Sequence, residues 1–401
     1  MRNSFSKMLA FPAAVQMIME QAELFPLKIE KKALAQACHR TVAEDIYAEH
    51  DRPEADISAM DGYAFCHADM QTAAHGLPVV SKTVAGADPL PLQQGTAQAI
   101  LTGARIPQGA NCVMAGERMH YNSETGCVMP AQVLAEKGGN IRRVGEEFTR
   151  GTLLVHKGQI LDWPYIAVLA SQNIDSVKVV CPVRVALVAN GGELSMHAQD
   201  KRADSNTPML AAMLKIFGVT PKTYLAASDD QAHLMSVLEE AWQDTDCIVT
   251  TGGISVGDTD NVLDAFKALG AEPLFRGVKI RPGKPISVLK HGNKLAFCLP
   301  GNPGASALCA KIFLMPYLYA VMGADQPDLI SGIADFSFEP LADTTHFIPV
   351  SRHKTSEGWC FTLLPTVGAS DIRVLTQAVA FLEVSPQHPI RKGQICWAIP
   401  L

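Results

Sequence analysis

Three turns in the second half of the chain carry the residues best suited to binding an anion. Each turn follows an apolar, strand-like run. The residues of interest are Glu193 after VALVANGG, Gly252, Gly253, Ser255, Gly257 and Asp260 after DCIVTT, and Gly301, Asn302 and Pro303 after FCLP. Glycine turns between a strand and a helix expose N–H groups that, with the helix dipole, bind anions and most often phosphate. Because the carboxyl ends of parallel strands share one edge of a sheet, we expect these turns to form one site.

The glycine turns lack the spacing of the common nucleotide motifs. The chain contains neither G-x-x-x-x-G-K-[ST] nor G-x-G-x-x-G. Walker-type nucleotide hydrolysis and dinucleotide redox chemistry are therefore disfavoured. For any single glycine turn, packing alone remains the competing explanation.

A basic segment and a group of acids accompany these turns. The segment RGVKIRPGKP contains Arg276, Lys279, Arg281 and Lys284, and it leads into the strand that ends at LPGNP. This favours a clamp for phosphate or another oxyanion over a solvated basic loop. Glu193, Asp258 and Asp260 offer hard oxygen ligands suited to magnesium that bridges phosphate groups. Ordinary helix capping is the alternative role for Asp258 and Asp260.

Two turns in the first half also present polar groups. DISAMDGYAF places the carboxylate of Asp61 on a turn, and ILTGARIP places Thr102 at the end of a strand. Taken alone, each is more often a structural turn than a functional one.

The pattern of elements predicts a multidomain protein that combines α/β and β folds. Helical spacing predicts helices over 13–22 and 30–45, whereas short alternating runs with many turns predict a β-rich insert over 47–150. Alternating strands and helices over 181–322 predict βαβ units with a mainly parallel sheet. Beyond about 324, strand patterns predict a small C-terminal β-domain.

Composition limits the function classes. The 401 residues carry a net charge of −6, with 18% charged and 48% apolar residues, which argues against a nucleic-acid-coating surface and against global disorder. No run reaches the ~18 apolar residues of a membrane span, and the N-terminal apolar stretch favours an amphipathic helix over a signal peptide. The ten cysteines form no C-x-x-C pair, which predicts buried, reduced thiols in a cytoplasmic protein.

Five ordered motifs together resemble the MoeA-type molybdopterin molybdenumtransferases, whose animal relative is the E-domain of gephyrin. The motifs are SAMDGYA, LTGA-x-x-P, GGISVGDTD, PGKP and LPGNP. The resemblance implies a discontinuous α+β domain I (1–46 and 148–180), a β-rich insert domain II (47–147), a molybdopterin-binding α/β domain III (181–323) and a β-barrel-like domain IV (324–401).

The resemblance also implies an activity, which is molybdenum insertion into adenylylated molybdopterin with release of AMP. Adenylylated molybdopterin and molybdate are the implied substrates, and Mg²⁺ is the implied cofactor. The family forms a homodimer whose active site is shared between subunits. Contacts with the adenylyltransferase and with molybdoenzymes are further possible partnerships.

The resemblance transfers functional positions residue by residue. The implied catalytic residues are Asp61, Thr102, Glu193, Asp229, Asp260 and Lys284, of which Glu193 and Asp260 would hold the metal. The implied substrate-binding residues are Asp204, Ser205, Asn206, Gly252, Gly253, Ser255, Gly257, Arg281, Gly301, Asn302, Pro303 and Ser370.

Two other functions stay open at this point. Ile57, Arg105 and Gly192 depart from the family pattern, and Ile57 and Gly192 favour a non-catalytic protein that binds or carries molybdopterin. A molybdopterin adenylyltransferase is the third possibility, because relatives of domain III perform the preceding step. The presence of all four implied domains argues against it.

Overall fold

The computed structural model describes residues 8–191, 194–195, 202–226, 231–254 and 261–401. The chain forms two compact units. The larger unit comprises Met1–Glu44, His156–Ala167 and Ile174–Leu401, and the smaller unit comprises Asp45–Val155 and Val168–Asn173.

The elements follow in chain order. The α-helices are α1 (Phe11–Ala22), α2 (His67–Thr72), α3 (Trp163–Ala170), α4 (Asn206–Leu214), α5 (Gln231–Asp244), α6 (Asn261–Ala268) and α7 (Pro303–Val321). The first strands are β1 (Ile29–Ala33), β2 (Ile46–Tyr47), β3 (Ile57–Ser58), β4 (Gly62–Phe65), β5 (Leu77–Thr83), β6 (Ala97–Ile100), β7 (Cys112–Ala115), β8 (Met119–Asn122), β9 (Cys127–Pro130), β10 (Ile141–Arg142), β11 (Leu153–Val155), β12 (Ser176–Val180) and β13 (Val185–Asn190). The later strands are β14 (Leu194–Ser195), β15 (Arg202–Ala203), β16 (Lys222–Ala226), β17 (Cys247–Thr251), β18 (Glu272–Arg276), β19 (Ile280–Arg281), β20 (Ser287–His291), β21 (Lys294–Leu299), β22 (Ile330–Ala334), β23 (Thr345–Thr355), β24 (Gly358–Leu363), β25 (Ala380–Val384) and β26 (Ile395–Pro400).

A mainly parallel sheet forms the centre of the larger unit, as the sequence predicts. Its order is β16-β13-β17-β21-β20-β18, in which the first four strands run parallel and the last two are antiparallel to their neighbours. Leu187 and Val249 pack into the core on one face, whereas Val188 and Ile248 pack into the core on the other. Both faces are therefore covered, which explains why these strands are continuous apolar runs.

Helix α7 is the main helix of this core. It is long and apolar enough to cross a membrane, but 78% of its most apolar window is buried inside the protein, as in a core helix. Pro316 lies within it and has no N–H to donate, and a wider π-helical turn at Ala310–Leu314 precedes that proline. Phe313 of this turn packs edge-on against Phe11 of α1, with ring centroids 5.6 Å apart.

The C-terminal strands close into a five-stranded barrel. The order β23-β24-β22-β26-β25 is completed by pairing of β23 with β25, and β19 adds in parallel beside β23. Val350, Phe361 and Leu382 are buried inside. Gly332 leaves room for the buried ring of Phe361, because a Cβ there would lie 2.8 Å from that ring. The predicted barrel-like domain is confirmed.

The smaller unit is β-rich, as predicted for the insert. Its sheet has the order β7-β4-β6-β5-β9-β8, in which only the β5–β6 pair is parallel. Ala64 and Val113 face one apolar cluster, and Phe65 and Met114 face a second.

The helix predicted over 30–45 is wrong. This segment contains strand β1, antiparallel to β12, followed by a short 3₁₀ turn at Leu34–Gln36. The N–H of Leu34 bonds to the carbonyl of Asp175, and the guanidinium of Arg40 reaches the carbonyl of Val180 at 2.8 Å. The segment does not follow its local helical spacing, because the distant strand β12 supplies hydrogen-bond partners for its backbone.

Candidate active site

The carboxyl ends of three neighbouring strands meet at one edge of the α/β sheet. Strand β13 ends at Asn190. Strand β17 ends just before the Gly252–Gly253 turn, and β21 ends two residues before Gly301. A Cβ on Gly253 (φ +69°) would lie 2.2 Å from Nδ2 of Asn190, and a Cβ on Gly301 would lie 3.4 Å from Cα of Gly252. These glycines therefore allow the strand ends to approach closely. Sequence reasoning missed Asn190, although it ends the VALVAN run.

The predicted Asp204–Asn206 segment joins this edge. Oδ1 of Asp204 accepts hydrogen bonds from the N–H groups of Asn206 (2.9 Å) and Thr207 (3.1 Å), so it anchors the start of α4. Nδ2 of Asn206 donates to the carbonyl of Gly301 at 2.9 Å. Oδ1 of Asn206 is buried and has no partner within the described residues. Ser205 lies between them at the N-cap position and makes no capping side-chain bond.

The start of helix α7 lies against a loop from the barrel region. Asn302 is the N-cap and makes no side-chain capping bond, and Pro303 occupies the first turn. The N–H of Ala305 donates to the carbonyl of Ala369 at 3.1 Å, and a Cβ on Gly304 would lie 2.7 Å from that oxygen. Glycine is thus required for the contact. The predicted residue Ser370 follows Ala369 and is exposed.

A cavity of about 950 Å³ opens beside this helix start. Its wall combines the PGKP turn, the start of α7 and the barrel loop, and includes Lys279, Arg281, Gly283, Lys284, Asn302, Gly304, Glu339, Asp343, His346, Thr366, Gly368 and Ala369. Gly283 has φ +101°, and a Cβ there would lie 2.5 Å from Sγ of Cys309. The tight turn holds Arg281 and Lys284 at the cavity.

The charge in this cavity suits an anion. The carboxylate of Asp343 lies 3.8 Å from Nζ of Lys279, and Glu339 pairs with Arg391. Arg281 and Lys284 have no ion-pair partner in the part of the chain that the structure describes. Two positive charges therefore remain beside the N-terminal end of α7, which itself favours negative ligands.

His346 is a cavity residue that sequence reasoning missed. Its Nε2 accepts a hydrogen bond from the N–H of Leu341 at 3.3 Å. Burial, and then the nearby charge of Arg281, lower the pKa of its imidazole. The ring is therefore neutral at pH 7 and adds no charge to the cavity. A single histidine in a strand pattern gave no signal of this position.

In the smaller unit, Asp61 and Thr102 form a hydrogen-bonded pair. Oδ1 of Asp61 accepts from the backbone N–H of Thr102 at 2.6 Å and from its hydroxyl at 2.7 Å. These bonds, the backbone one first, lower the pKa of the exposed Asp61 carboxyl. Gly62 is required beside it, because a Cβ would lie 2.0 Å from the carbonyl oxygen of Met114.

The remaining predicted residues lie outside the described residues. They are Glu193, Asp229, Ser255, Gly257 and Asp260. Both predicted metal ligands are among them, so the ligand set stays a prediction. Arg105, which departs from the family pattern, pairs at the surface with Asp88 at 2.7 Å.

Comparison with known proteins gives consistent matches. Residues 9–172 match the MoeA N-terminal region (domain I and II), and residues 186–320 match a probable molybdopterin binding domain. A molybdopterin molybdenumtransferase of Staphylococcus aureus (strain MRSA252) is 33% identical over 357 residues, covering 86% of this chain and 84% of that protein. The protein of the same name from Synechococcus elongatus is 31% identical over 326 residues, with 78% and 80% covered.

The fold has a solved counterpart. The crystal structure of a molybdopterin biosynthesis moeA protein from Pyrococcus horikoshii OT3 superimposes with a TM-score of 0.75, at 24% identity, over 98% of this chain and 100% of that one. This similarity supports the multidomain architecture described above.

Proposed function

Because the chain belongs to the molybdopterin molybdenumtransferase family, we propose that it inserts molybdenum into adenylylated molybdopterin and releases AMP. The observation that carries the proposal is the cavity at the start of α7, where Arg281 and Lys284 stand beside a helix N-terminus. A phosphorylated anion is the ligand that such a surface binds best.

The larger unit binds the nucleotide and pterin phosphates. Arg281 and Lys284 neutralise the charge that develops on the departing phosphoryl group as water cleaves the phosphoanhydride bond between AMP and molybdopterin. The further substrate-binding positions are Asp204, Ser205, Asn206, Gly252, Gly253, Ser255, Gly257, Gly301, Asn302, Pro303 and Ser370. Asp229, which lies outside the described residues, is a further proposed catalytic residue.

The smaller unit contributes the pair Asp61 and Thr102. In the proposed homodimer, these residues reach the molybdate and dithiolene side of the substrate that the other subunit binds. The lowered pKa of Asp61 favours its ionised form, so its carboxylate can accept hydrogen bonds there.

We infer a magnesium ion at the sheet edge. Oδ1 of Asn206 is a buried, unpartnered oxygen at this edge, and the ion prefers oxygen ligands together with substrate phosphates. Glu193 and Asp260 would hold the ion, which would offset phosphate charge when bound.

The organisation of the protein completes the proposal. We divide the chain into domain I (1–46 and 148–180), domain II (47–147), domain III (181–323) and domain IV (324–401). The protein works in the cytoplasm as a homodimer, and it receives substrate from the adenylyltransferase and passes the product to molybdoenzymes.

One experiment tests the reaction. Purified protein is incubated with adenylylated molybdopterin and Mg²⁺, with and without molybdate, and AMP is measured. We expect molybdate-dependent AMP release, which Lys284→Gln lowers about 10²–10³-fold and the exposed control Lys31→Gln leaves unchanged.

The other outcomes separate the competing functions. Tight binding of adenylylated molybdopterin without AMP release would indicate a carrier. Formation of adenylylated product from ATP and molybdopterin would indicate an adenylyltransferase.

A further inference from the structure

Three potential metal ligands meet on the outer part of the C-terminal barrel, in the larger unit and outside the cavity described above. Ligand atoms of Asp335, His353 and Cys360 all lie within 4.8 Å of one another. Cys360 is buried, Asp335 is half-buried and His353 is exposed. The group therefore opens to solvent on its histidine side.

The barrel strands fix this juxtaposition. His353 of β23 and Cys360 of β24 are direct partners in an antiparallel pair, so their side chains project from the same face. Asp335 directly follows β22, and its N–H bonds to the carbonyl of Phe361 at 3.0 Å. Two adjacent strands and the first residue after a third thus supply one ligand each, and a backbone hydrogen bond to β24 holds the residue that lies outside a strand.

A neighbouring hydroxyl orients two of these side chains. Oγ1 of Thr362 donates to Oδ2 of Asp335 at 2.6 Å and lies 3.4 Å from Nδ1 of His353. Metal-binding carboxylates and imidazoles commonly have such outer partners, which hold them in position.

We propose that Asp335, His353 and Cys360 form a zinc site with one further position open to water. Thiolate, imidazole and carboxylate together suit Zn²⁺, whereas magnesium prefers oxygen alone. Zinc bonds of about 2.0–2.3 Å place ligand atoms roughly 3.3–3.8 Å apart, so the group contracts slightly on binding. The exposed His353 can make most of that adjustment. The site is separate from the magnesium proposed for the transferase reaction.

Metal binding to the full-length protein tests the site without any measurement of activity. Protein stripped with a chelator is titrated with Zn²⁺, and Co²⁺ is used as a spectroscopic probe for a thiolate ligand. We expect one equivalent of Zn²⁺ per chain and a thiolate-to-cobalt charge-transfer band. Cys360→Ser and His353→Asn should each lower zinc affinity at least about 10-fold, and Cys360→Ser should remove the band.

Matched controls separate ligation from general damage. Cys396→Ser changes another buried thiol of the same barrel, and His388→Asn changes another exposed imidazole, and both should bind Zn²⁺ like the unmodified chain. Thr362→Val should weaken binding about 10–100-fold while the cobalt band persists. Less than one equivalent bound, or equal affinity in Cys360→Ser, would overturn the proposal.

Discussion

The carboxylate of Asp61 accepts two hydrogen bonds from Thr102, one from its backbone N–H and one from its hydroxyl, both at the same oxygen. Neither bond uses the other carboxylate oxygen, Oδ2, and no hydrogen bond reaches it from the residues that the structure describes, so it is available for a ligand. The pair thus orients a charged group whose ionisation is favoured by both bonds.

Thr102→Val should raise the pKa of Asp61 partway toward its usual range, because only the backbone bond remains. A carboxyl whose pKa is lowered in the folded protein loses its charge as the pH falls through that lowered value. The acid limb of the pH profile of AMP release should consequently move to higher pH in the variant. Carboxyl-carbon NMR titration of Asp61 measures the pKa directly.

Thr102→Ser is the matched control, since it keeps the hydroxyl and should keep the original acid limb. An acid limb that does not move in Thr102→Val would show that Asp61 does not control the rate.

The tight turn at Gly283 supports a second prediction. Gly283→Ala should destabilise the protein, since its Cβ would meet Sγ of Cys309 at 2.5 Å. Gly292 also has positive φ, at +58°, but nothing lies within 4 Å of its added Cβ. Gly292→Ala should therefore lower the free energy of unfolding only by the ~1–2 kcal/mol that a positive φ costs a residue with a Cβ. Gly283→Ala should lower it by about 1–3 kcal/mol more, because of the steric contact. Urea unfolding of both variants measures the difference, and equal losses would contradict the steric argument.

The sequence predicts those features of the structure that require a local pattern of residues. The buried strands β13, β17 and β21 are predicted because a sheet covered on both faces requires continuous apolar runs. Their glycine turns are predicted as a group because parallel strands expose their carboxyl ends together. The basic PGKP segment is recognised for its charge, and Arg281 and Lys284 do stand at one cavity.

Contacts between residues far apart in the sequence produce no local pattern of this kind. The register of β1 against β12 joins Ile29 to Val180, far apart in sequence, so the local helical spacing misleads. Asp61 and Thr102 are each singled out, but the bond across 41 positions is visible only in the fold. Likewise, no spacing in the sequence brings Asp335 beside Cys360.

Asn206 offers a third prediction at the sheet edge. Asn206→Asp removes the donor to the carbonyl of Gly301 and places two oxygen acceptors together in a buried position. We expect the free energy of unfolding to fall by about 1–3 kcal/mol, with weaker binding of adenylylated molybdopterin. The control Asn293→Asp, in an exposed turn, should leave both unchanged. Urea unfolding measures the loss of stability, and calorimetry measures the affinity for adenylylated molybdopterin. An unaltered affinity would show that Asn206 is not part of the binding site.

A second cavity, of about 570 Å³, supports a prediction about pH and stability. It is mostly apolar but is lined by Lys311 and Glu383, which are not joined by an ion pair within the described residues. Desolvation by the surrounding apolar wall lowers the pKa of the half-buried Lys311. Although the side chain of Glu383 reaches solvent, desolvation also raises the pKa of its carboxyl, against the opposing effect of a hydrogen bond from Ser385. The folded protein therefore binds the Glu383 proton more tightly than the unfolded chain does.

Glu383→Gln should accordingly make the protein more stable at pH 7. A raised carboxyl pKa contributes stability that is complete below the ordinary value of 4.5 and is lost as the pH rises through the folded-state value. The variant has no proton to lose, so its advantage over the unmodified chain should shrink as the pH is lowered toward 4.5. Urea unfolding at pH 7 and at pH 5 (about half a unit above the ordinary pKa) measures the difference in free energy of unfolding between the variant and the unmodified chain. The control Glu23→Gln, at a carboxyl that does not line this cavity, should show no such dependence. A stability difference that stays constant with pH would mean that desolvation of Glu383 does not affect stability.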